Sequence, residues 1–373
     1  MGDEGDEPEV EDTRPDAAVT PELFEKWRHP RPGTSNPERM NNPVWEWLVR
    51  MRINAWQANQ YFQGPSAIRA GPGWCFDRFG QTSTDLPDGR TVLIGGEHED
   101  YYDPDFYIYN DVVILDPRGD IEIFGYPRDQ FPPTDFHSAT LVGGRIVIIG
   151  SVGYSDQRRP GTTPVFVLQL PGFEIAPVVT RGPAPGWIHN HTATLSEDGA
   201  SIIIRGGKLD RGGEDSSLVE NIDDWRLHLA DWRWERLTER DWPRWEFLRH
   251  DGSRNHLWEI TQADWYRQMG WKNDYRKALR TVVQECGRKP DFEIVSMLYR
   301  PQVPHESLPQ QENEYSVFRI KIGEVVVRYV QEMGSVQLTV EGTLPRNILD
   351  VLTADLLGKL SALENAPIDC RPL

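Results

Sequence analysis

The sequence has few cysteines and no long hydrophobic run. Its three cysteines, Cys75, Cys286 and Cys370, are too few and too widely spaced for a disulfide framework, which favours a reducing compartment. No apolar stretch approaches the roughly 20 residues of a membrane-spanning helix, and the N-terminus lacks the apolar core of a secretory signal. We therefore expect a cytoplasmic protein with no membrane partner.

Basic residues are also scarce. The 373 residues include 40 Lys and Arg against 58 Asp and Glu, a formal net charge of −18. A nucleic-acid binder needs a basic surface, so no nucleic-acid partner is expected. Residues 1–20 contain eight acids and one base and have little to bury, so we predict that residues 1–25 form an acidic disordered tail.

Motifs for cofactor chemistry are missing as well. The sequence has no P-loop, no dinucleotide-binding glycine motif and no Ser/His/Asp signature, so no catalytic residue and no cofactor are predicted. The segment 97–100 (Glu-His-Glu-Asp) lacks the spacing of a known metal motif, and no metal site is predicted. His189 and His191 are separated by one residue; we interpret His191 as a structural histidine that bonds backbone between repeats.

Residues 26–71 are predicted to form an N-terminal helical segment. Asn42 is a favourable helix cap and Pro43 suits the first helical position. Apolar residues then recur at helical spacing, which predicts one helix over about residues 43–62, ended by Gly64.

Three segments between residues 72 and 237 repeat one pattern. Each has a short strand, a turn with Asp-Gly or Gly-Gly, and a β-branched strand that ends in small residues. A loop and two further strands complete each repeat, and the repeats begin 56 and 54 residues apart. Four strands per repeat predict three propeller blades, each an antiparallel sheet.

These repeats resemble the kelch family of β-propellers. The shared features are a His-Ser/Thr-Ala opening, a double glycine after the second strand and an Asn-Asp before the third. They are represented by His137-Ser138-Ala139, His191-Thr192-Ala193, Gly95-Gly96, Gly206-Gly207 and Asn110-Asp111. The resemblance implies a propeller whose long loops after the second strands project together on one face. Two positions differ: Gln81 replaces the opening histidine of the first repeat, and Gly150-Ser151 replaces the glycine pair of the second.

Three blades are fewer than the four to eight that close a propeller. The predicted fold class is therefore mainly β: a kelch-like propeller, complete or partial, followed by a small α+β domain. A fourth blade formed by a hairpin over residues 245–260, an open stack of sheets against the flanking helices, and a pair of chains are the alternatives. We favour closure or capping by the chain's own flanking segments.

Residues 238–373 are predicted to form the α+β domain. Helices are predicted to begin at Thr261 and Asp274, and a last helix near Pro345. The predicted strands are residues 292–300, 316–322, 325–331 and 336–340.

Tryptophan is abundant, with eight of the 14 between Trp225 and Trp271. We assign Trp225, Trp232 and Trp234 to the core of the third blade. The other five, Trp242, Trp245, Trp258, Trp265 and Trp271, are predicted to be buried at the junction with the C-terminal domain. The alternative is an exposed aromatic surface that binds a ligand such as a carbohydrate.

The long loops are the predicted binding site, because loops on a rigid sheet often carry function. The candidate residues are Glu97, His98, Asp100, Tyr101, Tyr102, Tyr154, Arg158, Arg159, Lys208 and Arg211. The alternative interpretation is that these loops are only solvated connections.

The predicted function is non-enzymatic recognition of a protein partner through these loops. The acidic surface suits a partner with a basic patch, and one version is an immunity-like or antitoxin-like inhibitor of a basic protein. The alternative is a hydrolase, lyase or epimerase that acts on a sugar-like or anionic small molecule at the propeller mouth. Glu97, His98 or Asp100 would then be the acid or base, and Arg158 and Arg159 would hold an anion.

Overall fold

The computed structural model describes residues 19–98, 103–212, 218–311, 314 and 316–373 of the protein. Strands predominate and pair in antiparallel sheets, so the predicted mainly β class is confirmed. The chain divides into two compact units, residues 1–239 (unit 1) and 240–373 (unit 2). In the part of the chain that the structure describes, no helix is both long and apolar enough to cross a membrane.

Four short helices precede the sheets of unit 1. They are α1 (Pro21–Trp27), α2 (Pro43–Met51), α3 (Ala55–Tyr61) and α4 (Ala67–Ala70). The prediction of a disordered segment is wrong for residues 21–25, because α1 contains them and buries Phe24. The predicted cap Asn42 is confirmed, since its Oδ1 accepts hydrogen bonds from the backbone N–H groups of Val44 and Trp45.

The single helix predicted over residues 43–62 is wrong. The chain leaves the helical conformation at Arg52, which is left-handed. Asn54 then starts α3, because its side chain accepts a hydrogen bond from Gln57 N–H while the Gln57 side chain accepts one from Asn54 N–H.

Unit 1 contains eighteen strands among its described residues. They are β1 (Glu38–Arg39), β2 (Thr82–Asp85), β3 (Thr91–Ile94), β4 (Glu97–His98), β5 (Tyr107–Ile108), β6 (Asp111–Leu115), β7 (Ile121–Gly125), β8 (Ser138–Val142), β9 (Arg145–Ile149), β10 (Val165–Gln169), β11 (Ile175–Pro177), β12 (Trp187–His189), β13 (Thr192–Leu195), β14 (Ser201–Arg205), β15 (Lys208–Asp210), β16 (Leu218–Glu220), β17 (Trp225–His228) and β18 (Arg233–Arg236).

Twelve of these strands form three antiparallel meanders, each with four strands in chain order. The first meander is β2-β3-β6-β7, with β1 added at its edge; the second is β8-β9-β10-β11; the third is β13-β14-β17-β18. The predicted four-stranded sheets are thereby confirmed. The predicted tight turns also form, as when Gly89 takes a positive φ of 87° and its N–H donates to Leu86 O.

The second meander is buried on both faces. Ile146 and Ile148 belong to the hydrophobic core shared with the first meander, whereas Val147 and Ile149 belong to the core shared with the third. Successive side chains of a strand point to opposite faces, so a continuous apolar run is needed where both faces are covered. The three meanders therefore stack in chain order.

The two ends of this stack differ. On the outer face of the first meander, Val113 shares a core with buried residues of α2. The outer face of the third meander is polar: the Glu235 carboxylate accepts from Arg226 and lies 2.9 Å from His228 Nε2. Helix α2 covers one end of the stack and solvent contacts the polar face at the other end. Neither end therefore needs a further sheet.

The repeat histidines join neighbouring meanders. His137 Nε2 lies 2.8 Å from Thr82 Oγ1 of the first meander, and His191 Nε2 lies 2.8 Å from Ser138 Oγ of the second. The partners are hydroxyl groups, so the predicted bond to backbone is wrong. His137 and His191 hold equivalent positions and make equivalent contacts with the preceding meander. This accounts for the histidine that opens both repeats.

These histidines predict acid sensitivity. Burial lowers the pKa of His137 to about 3 and that of His191 to about 4, from an ordinary 6.5. Below pH 6.5 the unfolded chain takes up protons that the folded chain does not, so the free energy of unfolding falls as the pH falls. At pH 5 the loss is about 2 kcal/mol per histidine.

Urea denaturation at pH 7 and pH 5 tests this expectation. The double variant His137→Gln/His191→Gln should lose less stability between the two pH values than the wild type. The control His250→Gln changes a side chain that is 70% exposed and should behave as wild type. Equal losses in the double variant and the wild type would contradict the prediction.

Unit 2 is an α+β domain. Its helices are α5 (Leu257–Gln268), α6 (Lys272–Cys286), α7 (Phe292–Met297) and α8 (Arg346–Glu364); its strands are β19 (Arg244–Arg249), β20 (Glu306–Ser307), β21 (Val317–Ile322), β22 (Val325–Gln331), β23 (Ser335–Glu341) and β24 (Ile368–Pro372). The strands form one antiparallel sheet in the order β20-β21-β22-β23-β19-β24. Strands β21 to β23 and helix α8 confirm the predictions for this region.

Three predictions for unit 2 are wrong. Residues 245–260 do not form a fourth blade, because β19 pairs with β23 and β24 and the rest runs into α5. Residues 292–300 hold helix α7, which Asp291 caps by accepting from Glu293 N–H, and no strand. The predicted helix starts are also wrong, because α5 begins at Leu257 rather than at Thr261 and α6 begins at Lys272 rather than at Asp274.

The tryptophan assignments are partly confirmed. Trp225 and Trp234 are buried in the core of the third meander, and Trp232 is half-buried beside it. Three of the predicted junction residues, Trp258, Trp265 and Trp271, are instead 45–62% exposed. They lie on or beside α5 and α6, and the number of tryptophans in the sequence did not indicate which helix face would carry them.

Candidate functional site

The three long loops after the second strands leave the same edge of the stacked meanders. We call this surface the loop face: described residues 97–98 and 103–108 (loop 1), 151–164 (loop 2), and 206–212 and 218–224 (loop 3). Short strand pairs order two of them, since β4 pairs with β5 in loop 1, and β15 pairs with β12 and β16 in loop 3.

Loops 1 and 2 are bonded to each other. The Tyr154 hydroxyl accepts a hydrogen bond of 2.9 Å from the backbone N–H of Ile108. The Tyr154 ring also packs edge-on against Phe106, with centroids 5.9 Å apart. Tyr154, predicted as a binding residue, therefore fixes one loop to the next.

Arg158 joins loop 2 to loop 3. Its Nη1 lies 3.0 Å from Asp210 Oδ2, and the Asp210 side chain is only 4% exposed. The guanidinium also donates to the backbone carbonyls of Val152 and Gly153. The other Asp210 oxygen accepts from Gly212 N–H at 2.7 Å, so this pair orders both loops.

Asp135 lies fully buried beneath the loops. Its Oδ1 accepts hydrogen bonds from Gly153 N–H at 2.7 Å and from Ser151 Oγ at 3.1 Å. Burial raises the pKa of Asp135, against the opposing effect of its hydrogen bonds to Gly153, Glu97 and Ser151 and of the nearby Arg158 charge.

His189 is the second buried titratable group at this face. It is 3% exposed, and neither ring nitrogen has a hydrogen-bond partner. Burial, with smaller effects of Lys208 and Arg158, lowers the pKa of His189 to about 3. The ring is therefore neutral at physiological pH.

The structure describes some, but not all, of the ten predicted binding residues. Seven lie on the loop face: Glu97, His98, Tyr154, Arg158, Arg159, Lys208 and Arg211. Arg159 and Arg211 are exposed, whereas His98 is buried. The other three, Asp100, Tyr101 and Tyr102, lie outside the described residues.

Asp135 and Asp210 were missed by the sequence analysis, which also treated His189 only as a neighbour of His191. Asp135 stands two residues before the repeat histidine His137, a position that no motif marks. Asp210 lies 52 residues from Arg158, so their pairing has no local signal.

No family model matches this chain, and no curated protein matches it. The resemblance to kelch repeats therefore rests on the residues quoted for it and stays a prediction.

The raised pKa of Asp135 predicts the direction in which the free energy of unfolding changes with pH. A buried carboxyl with a raised pKa contributes most stability when protonated and loses that contribution as the pH rises through the raised value. Asp135→Asn keeps an acceptor for Gly153 and does not titrate. We expect its free energy of unfolding, relative to wild type, to increase from pH 4 to pH 7.

Urea denaturation of both proteins across that range measures the difference. Asp129→Asn is the control, because Asp129 is exposed; its difference from wild type should stay constant. A relative stability of Asp135→Asn that falls with rising pH would show that the Asp135 carboxyl is not penalised by burial.

Proposed function

We propose that the protein is a recognition module, a kelch-like open stack of three blades that binds a protein partner through the loop face. The observation that supports this most is the direct bonding between loops, by Tyr154 to Ile108 and by Arg158 to Asp210. Loops that are already ordered lose less conformational entropy when a partner binds, which raises affinity.

Exposed arginines give this face its recognition chemistry. Arg159 and Arg211 are both exposed, and arginine is enriched among the residues that dominate protein interfaces. Arg158 is half-buried and engaged with Asp210, so its role is to position the loops. Exposed guanidinium groups suit an acidic patch on the partner, which replaces the basic patch expected from the net charge of the whole chain.

Affinity capture from a lysate, followed by binding measurements with the purified partner, tests the proposal. Arg159→Glu/Arg211→Glu should weaken binding at least about tenfold, because two interface cations become anions. The matched control is Arg118→Glu/Arg181→Glu, which changes two exposed arginines away from the loop face. Equal retention of the same protein by both variants would contradict the proposal.

One observation favours an enzyme at the same face as the second candidate. Burial raises the pKa of the Asp135 carboxyl, which interacts with Glu97, and two carboxyls in different environments are the usual acid and base of hydrolytic and epimerising enzymes. Neutral His189 lies under the same loops.

Incubation with a panel of glycosides and anionic esters, analysed by mass spectrometry, tests this second candidate. Conversion by the wild type that falls at least about a hundredfold in Asp135→Asn would support it, since a general acid or base contributes that much. Conversion that is unchanged in Asp135→Asn, or no conversion by the wild type, would count against it.

A further inference from the structure

Three helix ends of unit 2 meet at one group of metal-ligating side chains. His256 immediately precedes α5, Cys286 is the last residue of α6, and Glu364 is the last residue of α8. One ligand atom from each lies within 4.8 Å of the other two. Cys286 is 5% exposed and Glu364 only 1% exposed, so the group is internal to the unit.

His256 is the centre of this group. Its Nδ1 lies 2.9 Å from Glu364 Oε2, and its backbone N–H donates to the other oxygen of the same carboxylate at 2.8 Å. Its Nε2 lies 3.7 Å from a carboxylate oxygen of Glu285, the residue before Cys286. Glu285 therefore lies on the opposite side of the ring from Glu364, and the group of mutually close ligand atoms consists of His256, Cys286 and Glu364.

The charges around the group do not balance. Two arginines bond to four acids: Arg249 to Glu364 and Asp251, and Arg254 to Glu259 and Glu285. The carboxylates of this network outnumber its guanidinium groups by two. The C-terminal ends of α6 and α8 add partial negative charge, because the carbonyl groups of a helix point that way. A divalent cation would compensate the excess.

The types of ligand atom in the group indicate which divalent cation it would bind. Magnesium and calcium prefer oxygen ligands alone, whereas zinc takes a thiolate, an imidazole and a carboxylate in a four-coordinate site. The group supplies three of the four ligands of such a site, and a water molecule would supply the fourth. The sequence contains no motif for it, because 30 residues separate His256 from Cys286 and 78 more separate Cys286 from Glu364.

We propose that His256, Cys286 and Glu364 form a zinc site that ties together the ends of α5, α6 and α8. Binding replaces the thiol proton of Cys286 by a metal–sulfur bond and releases that proton to solvent. The alternative, in which His256 only bridges two carboxylates by hydrogen bonds, requires no metal and no thiolate.

Titration of the full chain with Co²⁺, a spectroscopic substitute for Zn²⁺, distinguishes the two. The wild type should bind one equivalent and gain a near-ultraviolet thiolate-to-cobalt charge-transfer band. Cys286→Ser should lose the band and bind at least about tenfold more weakly, since even residues that only support metal ligands cost that much. The matched control Cys370→Ser changes a half-buried cysteine outside the group and should keep the band.

A second variant covers the case in which Cys286→Ser fails to fold. His256→Gln keeps Cys286 and should show the same loss of affinity, and Zn²⁺ should raise the unfolding temperature of the wild type and Cys370→Ser but not of His256→Gln. A wild type without the charge-transfer band, or a band that persists in Cys286→Ser, would overturn the proposal.

Discussion

Burial of both faces of the second meander is the constraint on which the rest of unit 1 depends. Its apolar strands need a sheet on either side, so the first and third meanders are placed by the residues that cover Ile146–Ile149. Stacked sheets of the same strand order release their second strands at the same edge. The stacking of the sheets is therefore sufficient to bring the three loops together at the loop face.

The polar groups that stacking buries at the loop face need hydrogen-bond or charge partners. Asp135 is fully buried, and two hydrogen bonds to its Oδ1 compensate for this burial. Asp210 is compensated by Arg158, whose guanidinium also caps two carbonyls of its own loop. The contacts that stabilise these buried carboxylates are the same contacts that order the loops.

Sequence patterns predicted the features that are local. Strand alternation, Asp-Gly turns and the cap at Asn42 depend on residues close in the chain, and they were found. The pairing of Arg158 with Asp210, or of His256 with Glu364, depends on distant segments and has no local pattern. Residues 292–300 have the apolar pattern of a strand but contain helix α7, because a short apolar run has the same hydrophobic pattern in a strand and in a buried helix turn.

The central claim is that the loops of the loop face are ordered before any partner binds. Hydrogen–deuterium exchange on the free protein tests it most directly at the N–H of Ile108, which donates to the Tyr154 hydroxyl, and at that of Gly212, which donates to Asp210. We predict protection at both, with Tyr154→Phe losing it at Ile108 alone. Exchange of Ile108 and Gly212 in the wild type at the rate of an unstructured peptide would contradict the account.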